Sequence, residues 1–125
     1  MTSPIDSDVI KFITDNTLEK RRAIAECLLS SYPDRVPVII TRSELNGDLR
    51  INKHKFVAPS DITFSKFLGE VRHHISGINS STGLYFFLSN NILPQSSEFM
   101  STLYDKYKSP DGFLYLTVSC ESTFG

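Results

Sequence analysis

Residues Val36 to Thr41 enclose the run Val38-Ile39-Ile40, three consecutive β-branched side chains. Such residues lose χ1 freedom in a helix and pack well on a pleated surface, so the run predicts a strand. It shows no alternation of apolar and polar positions, which is the pattern of a buried strand rather than a half-wet one.

The flanking segments supply elements that could cover it. Ser3-Pro4 reads as a helix start, followed by Ile5, Val9, Phe12 and Ile13 at helical spacing. Asn16-Thr17 restarts the pattern, with Ile24, Cys27, Leu28 and Ser31 on one stripe until Pro33 stops it. Beyond the strand, Asn46-Gly47 predicts a turn and Lys55-Phe56-Val57-Ala58 a returning strand that ends at Pro59. The clearest helix carries Phe64, Phe67, Leu68, Val71 and Ile75, with Asp61 or Thr63 as its cap. A loop from Gly77 to Gly83 leads to a strand at Leu84–Leu88 and a turn at Asn90-Asn91. Ser97 is placed to cap a short helix with Met100, Leu103, Tyr104 and Tyr107. Pro110-Asp111-Gly112 then turns into a last strand, Phe113 to Ser119, whose Leu114, Leu116 and Val118 share a face. Hairpin, long helix and two more strands make an α+β arrangement, one sheet packed on one helix, with no internal repeat.

Composition sets limits on function. The 125 residues are enough to bury about two-thirds of the chain's surface. The formal net charge of −1 removes any bulk attraction for nucleic acid. The charge is uneven: residues 1–19 set Lys11 against Asp6, Asp8, Asp15 and Glu19, whereas residues 35–75 carry seven basic and four acidic side chains. That middle segment reads first as a solvated surface of mixed charge. As a binding face it would suit an acidic peptide or a phosphoinositide surface better than RNA, because no arginine-rich run or aromatic–glycine signature of an RNA-binding sheet accompanies it. No apolar run approaches the roughly 18 residues of a membrane span, and no secretory leader pattern opens the chain. Cys27 and Cys120, far apart in sequence, fit a reducing compartment.

Enzyme signatures are sparse. Cys27 lies on an apolar stripe, where a buried inert thiol is expected. The adjacent His73 and His74 point about 100° apart on a helix and make a poor metal pair, and His54 stands alone. No phosphate-cradling loop or nucleophile elbow is present. Asn79-Ser80-Ser81 matches a glycosylation sequon that lacks a secretory context. No catalytic residue, metal or cofactor is expected.

Five strings in order carry a resemblance: Leu18-Glu19-Lys20-Arg21-Arg22; Tyr32-Pro33-Asp34-Arg35-Val36-Pro37-Val38-Ile39; Lys53-His54-Lys55-Phe56-Val57-Ala58-Pro59-Ser60-Asp61-Ile62-Thr63; Leu93-Pro94 with Met100, Leu103-Tyr104 and Asp111-Gly112-Phe113-Leu114-Tyr115; and Ser122-Thr123-Phe124-Gly125. Together they resemble the autophagy ubiquitin-like modifiers, the family that includes GABARAP. The resemblance implies an α+β ubiquitin-like β-grasp preceded by two helices. It divides a single domain into a helical region at 1–33, the β-grasp at 34–120 and a flexible conjugation tail at 121–125.

It also implies a non-enzymatic modifier with two functional surfaces. At the C-terminus, an activating enzyme would adenylate the carboxylate of Gly125, beside its anchor Phe124, and a conjugating enzyme would carry it as a thioester to the amine of phosphatidylethanolamine. A cysteine protease would process or delipidate the product. Glycine suits the narrow enzyme channels because it has no Cβ, and two acyl chains give stable anchoring where one is marginal. The protein would then move from cytoplasm to autophagosomal membranes as a monomer in solution.

The other surface is a groove for cargo receptors bearing an aromatic-x-x-aliphatic segment, bound by strand addition along the second strand, which includes Val57. Carried over by position, Leu28, Pro37, Ile39, Lys55 and Phe113 would form the aromatic subsite, and Phe56, Pro59, Ile62 and Phe67 the aliphatic one. Arg35, Lys53 and Lys55 would meet acidic flanking residues. Three positions depart from the family pattern: Ile24 in place of an acidic side chain, Ala58 in place of valine, and Glu70 in place of an apolar residue. A second partner patch would map to Tyr85, Phe86, Phe87 and Leu88, half of which strand alternation assigns to the core. The competing readings are a non-conjugated β-grasp adaptor in trafficking or cytoskeletal binding, and a small cysteine-dependent enzyme.

Overall fold

A computed structural model describes residues 7–43, 49–78 and 83–120. Ser3-Pro4, Ile5, Asn46-Gly47, Asn79-Ser80-Ser81, Phe124 and Gly125 lie outside the described residues. The described residues open on two helices, α1 (Ser7–Asp15) and α2 (Leu18–Ser31). Thr17 separates them: its backbone is extended and its hydroxyl accepts the Lys20 N–H at 3.2 Å, satisfying one of the orphan donors of the α2 start.

Among the described residues, six strands and two more helices follow: β1 (Arg35–Arg42), β2 (Arg50–Ile51), β3 (Lys55–Pro59), α3 (Phe64–Arg72), β4 (Ile75–Ser76), β5 (Leu84–Leu88), α4 (Met100–Tyr107) and β6 (Leu114–Cys120). The main sheet has the order β3-β1-β6-β5, with β1 antiparallel to β3 and parallel to β6. β2 and β4 form a separate two-stranded pair.

β1 is covered on both faces, which explains its unbroken run of apolar residues. Val38 and Ile40 join Leu114, Leu116, Val118, Phe86 and Leu88 in the main core, packed against Phe64, Phe67 and Val71 of α3 and Met100, Leu103 and Tyr104 of α4. Ile39 points the other way, into a smaller cluster with Val9 and Phe12 of α1, Ala25 of α2 and Phe113.

A buried polar clamp fixes that second layer. The Arg21 side chain donates from Nε to Asp111 Oδ2 at 3.1 Å and from Nη1 to the carbonyls of Ile13 and Asn16, at 2.9 and 2.6 Å, so it ties the end of α1 to α2. Asp111, 2% exposed, also accepts the Phe113 N–H at 3.0 Å and the Tyr115 hydroxyl at 2.6 Å. Burial first, and then the hydrogen bond with the Asp111 carboxylate, pushes the Tyr115 phenol above its ordinary pKa. Beside the clamp, Gly112 has φ +88°, and a Cβ there would stand 2.9 Å from the Ala25 Cβ. Only glycine allows both this turn and the close approach of α2.

The structure corrects several sequence-based expectations. α3 ends at Arg72 rather than running to Ile75, because the His73 N–H turns back to the Glu70 carbonyl at 3.2 Å and the His74 N–H to the Val71 carbonyl at 2.9 Å. Ile75 keeps its buried position as part of β4, paired with Ile51. Ser97 does not cap α4. The cap position is Phe99, which offers no side-chain bond, and the first donors go to neighbouring backbone instead: Met100 N–H to Ile62 O at 2.9 Å and Ser101 N–H to Ser60 O at 3.0 Å. The predicted stripe of α2 is also shifted. Ala25 is its buried residue, Ile24 and Leu28 are half-buried, and Cys27 and Ser31 are exposed. α2 lies on an alanine, Ala25, because Gly112 brings the backbone so near; the Cys27 thiol is on the exposed side.

Candidate functional site

β3 is an edge strand of the main sheet. The Ile40 N–H donates to the His54 carbonyl at 2.8 Å, and this sets the phase of the antiparallel ladder. With Val38 opposite Phe56 and Val36 opposite Ala58, the backbone groups of Phe56 and Ala58 face β1, while those of Lys55, Val57 and Pro59 face outward. Pro59 lacks a donor and is tolerated because its nitrogen lies on the open side. The Arg35 guanidinium already uses one outward acceptor, donating from Nη1 to the Val57 carbonyl at 3.0 Å.

On the α3 side of this edge lies an open cleft of about 310 Å³, lined by Arg35, Val57, Ala58, Pro59, Ile62, Lys66, Phe67 and Glu70. Pro59, Ile62 and Phe67 are thus brought together as the carried-over aliphatic subsite requires. Phe56 is not in the lining. It is buried with its ring 5.8 Å from that of Phe67, edge to face, and supports the cleft from beneath. Lys53 Nζ stands 4.8 Å from the centre of the Phe56 ring. Ala58 and Glu70, two of the departures from the family pattern, both line the cleft, so its wall combines apolar surface with charge. Lys66 was not singled out in the sequence; its position one helical turn before Glu70 is the signal that could have found it.

The α1 side is different. Leu28, Ile39, Lys55 and Phe113 do converge there, but around a side chain of the chain itself, while Pro37 is buried two residues before Ile39 on β1, opposite Val57. The Phe12 ring sits 5.5 Å from the Phe113 ring at an interplanar angle of 85°, and Lys55 Nζ lies 4.1 Å from the Phe12 centroid. Ile39 and Phe113 are each 1% exposed, and Phe12 is 7% exposed. Leu28 packs against the same cluster. The helical stripe of α1 marked Phe12 as inward-facing; what it faces is a matter of tertiary placement.

Tyr85, Phe86, Phe87 and Leu88 occupy β5, the opposite edge of the main sheet. Phe86 and Leu88 belong to the main core, Phe87 is half-buried and Tyr85 is 43% exposed. Among the described residues, no group of three or more His, Cys, Asp or Glu side chains could hold a metal ion. No described helix is long and apolar enough to cross a membrane.

A family profile described as "Autophagy protein Atg8 ubiquitin like" matches residues 20–125. The chain belongs to the Atg8 family. It is 41% identical over 117 residues to Autophagy-related protein 8 of Dictyostelium discoideum, covering 94% of this chain and 95% of the relative. Autophagy-related protein 8e of Arabidopsis thaliana is 40% identical over 114 residues, covering 91% and 92%. Among solved structures, Trypanosoma brucei ATG8 superimposes with a TM-score of 0.81 at 32% identity, covering 92% of this chain and 97% of the other. Plasmodium falciparum Atg8, solved in complex with a Plasmodium falciparum Atg3 peptide, gives 0.74 at 31% identity, covering 88% and 94%. The expected α+β ubiquitin-like β-grasp with N-terminal helices is therefore the fold of this Atg8-family chain. α1, with Phe12, precedes the stretch that the Atg8 profile matches.

Proposed function

We propose that this ubiquitin-like autophagy protein is a modifier that acts through two surfaces, the carboxylate of Gly125 and the outer edge of β3. Activation with ATP converts the carboxylate to an adenylate with loss of pyrophosphate. A cysteine thiolate of the activating enzyme displaces AMP to give a thioester, which passes to the conjugating enzyme. The amine of phosphatidylethanolamine then attacks the thioester carbonyl, forming the amide and releasing the thiol. A cysteine protease exposes Gly125 where residues follow it and later cleaves the amide. The 125 residues work as one unit and a monomer in this reading, cytoplasmic before conjugation and on autophagosomal membranes after it.

The observation that carries the reading is the outer edge of β3, where the Arg35 guanidinium holds the Val57 carbonyl, beside an open cleft of apolar and charged side chains, in a chain of the Atg8 family. Lys55 and Val57 offer backbone groups to an added strand, and the cleft takes the aliphatic side chain of an aromatic-x-x-aliphatic segment. Arg35, Lys53 and Lys55, all exposed, supply charge for acidic flanking residues.

Two measurements test it. Incubation with purified activating and conjugating enzymes, ATP and phosphatidylethanolamine vesicles is expected to add the mass of one phospholipid at Gly125. An unchanged mass, while the Dictyostelium relative is modified in the same reaction, refutes conjugation. Titration with an acidic-flanked Phe-x-x-Leu peptide is expected to shift the Lys55 and Val57 amide resonances. Binding undiminished by Arg35→Glu with Lys55→Glu counts against the groove.

A further inference from the structure

The two halves of the candidate groove are in different states, one open and one filled. We propose that Phe12 is an internal competitor for the aromatic side chain of an incoming peptide, so that α1 must leave its seat before the groove can be fully occupied. This rests on the peptide-groove reading and adds to it a regulatory segment and a rule for which peptides succeed.

The geometry carries the argument. Four residues of the carried-over aromatic subsite, Leu28, Ile39, Lys55 and Phe113, surround Phe12 rather than empty space. An edge-to-face contact with Phe113 and a cation above the ring are the contacts that an external aromatic anchor would make there. Both rings cannot fit, because Ile39 and Phe113 are already almost inaccessible. α1 is nine residues long, too short to persist as an isolated helix, so its order depends on this docking. The hydrogen bonds that hold it, from Arg21 to the Ile13 and Asn16 carbonyls, lie at its C-terminal end and form a pivot. Phe12 can therefore withdraw while the Arg21–Asp111 clamp stays closed.

Lys55 connects the seat to peptide charge. Its ammonium is exposed and stands over Phe12. An acidic residue flanking the peptide draws that ammonium into an ion pair and removes one of the contacts that retain Phe12. Acidic flanks thus act twice, by attracting the peptide and by loosening its competitor.

The apparent affinity of a groove that is only partly available falls by the available fraction. Phe12→Ala is therefore expected to tighten binding of an acidic-flanked Phe-x-x-Leu peptide by on the order of tenfold. The same variant should lose less affinity than wild type when the acidic flank is replaced by serines. Binding that is equal or weaker in Phe12→Ala, with Lys55 and Val57 amides still responding, overturns the proposal while leaving the groove reading intact. The chain contains no tryptophan, so Phe12→Trp supplies a single fluorophore in the seat, free of any requirement that the alanine variant fold normally. Its emission should shift to the red as the tryptophan-free peptide saturates. Emission that remains unshifted at saturation also overturns the proposal. A failure of every variant to bind any such peptide at the β3 edge removes the groove reading, and the competitor with it.

Discussion

The α3 side and the α1 side of β3 differ in who covers the sheet. On the α3 side, Phe56 and Ala58 face a continuous core, and a cleft remains between strand and helix, with Ala58 and Glu70 in its wall. On the α1 side, Ile39 and Phe113 face a thin layer of helix, and the ring of Phe12 closes it. Apolar sheet surface is covered by whatever chain is nearby, and here a local helix covers it.

Substitutions on the two sides should therefore differ in cost. Phe67→Ala removes a ring from the main core and is expected to lower stability by about 3–5 kcal/mol. Phe12→Ala, although it deletes the same group, should cost only about 1–2 kcal/mol, because a short segment can undock without unfolding the rest. Equal losses in chemical denaturation would erase the distinction and make α1 part of the core. Asp111→Ala is expected to cost about 3 kcal/mol, since it strands Arg21 and the Phe113 N–H while leaving the open cleft untouched. The variant should lose thermal stability yet keep its response to peptide at Ile62 and Phe67.

A smaller effect should come from Glu70→Leu, which makes the open side wholly apolar along that wall. It should bind an aliphatic anchor roughly threefold to tenfold more tightly, the worth of one extra apolar contact. No gain in a peptide titration would show that Glu70 points away from the anchor. The smallest effect at neutral pH concerns Tyr115. Its pKa is raised above the unfolded value of 10.0, so its contribution is fully present below pH 10 and is lost as the pH rises further. Melting temperature should fall with alkalinity above about pH 10 in the wild type and less steeply in Tyr115→Phe. Tyr104, also raised by burial and then by Asp105 and Asp111, retains part of the slope.

Much of the architecture was legible because it is written locally. The Val38-Ile39-Ile40 run, the Lys55–Pro59 return, the Thr63 cap and the Leu84–Leu88 strand each depend on neighbours in sequence. The missed features depend on distant ones. Ser97 reads as a cap until the Ile62 and Ser60 carbonyls are seen to accept the α4 donors. Cys27 reads as buried until Gly112 is seen to pull α2 down onto Ala25. β2 and β4, two residues each, are too short to show a period. The site follows the same division. Pro59, Ile62 and Phe67 line one cleft at the position proposed for the aliphatic subsite, whereas what covers the position proposed for the aromatic one hinges on a contact between Phe12 and Phe113, about a hundred residues apart.

The parallel pairing of β1 with β6 has a mechanical consequence. Val38 to Arg42 run alongside Leu114 to Val118 in the same direction. Tension between the segment before β1 and the segment after β6 pulls the strands lengthwise past each other. The ladder then resists as a set of bonds strained together, instead of opening one at a time like a zip, so a tether at the far end of β6 draws on the stiffest direction of the sheet.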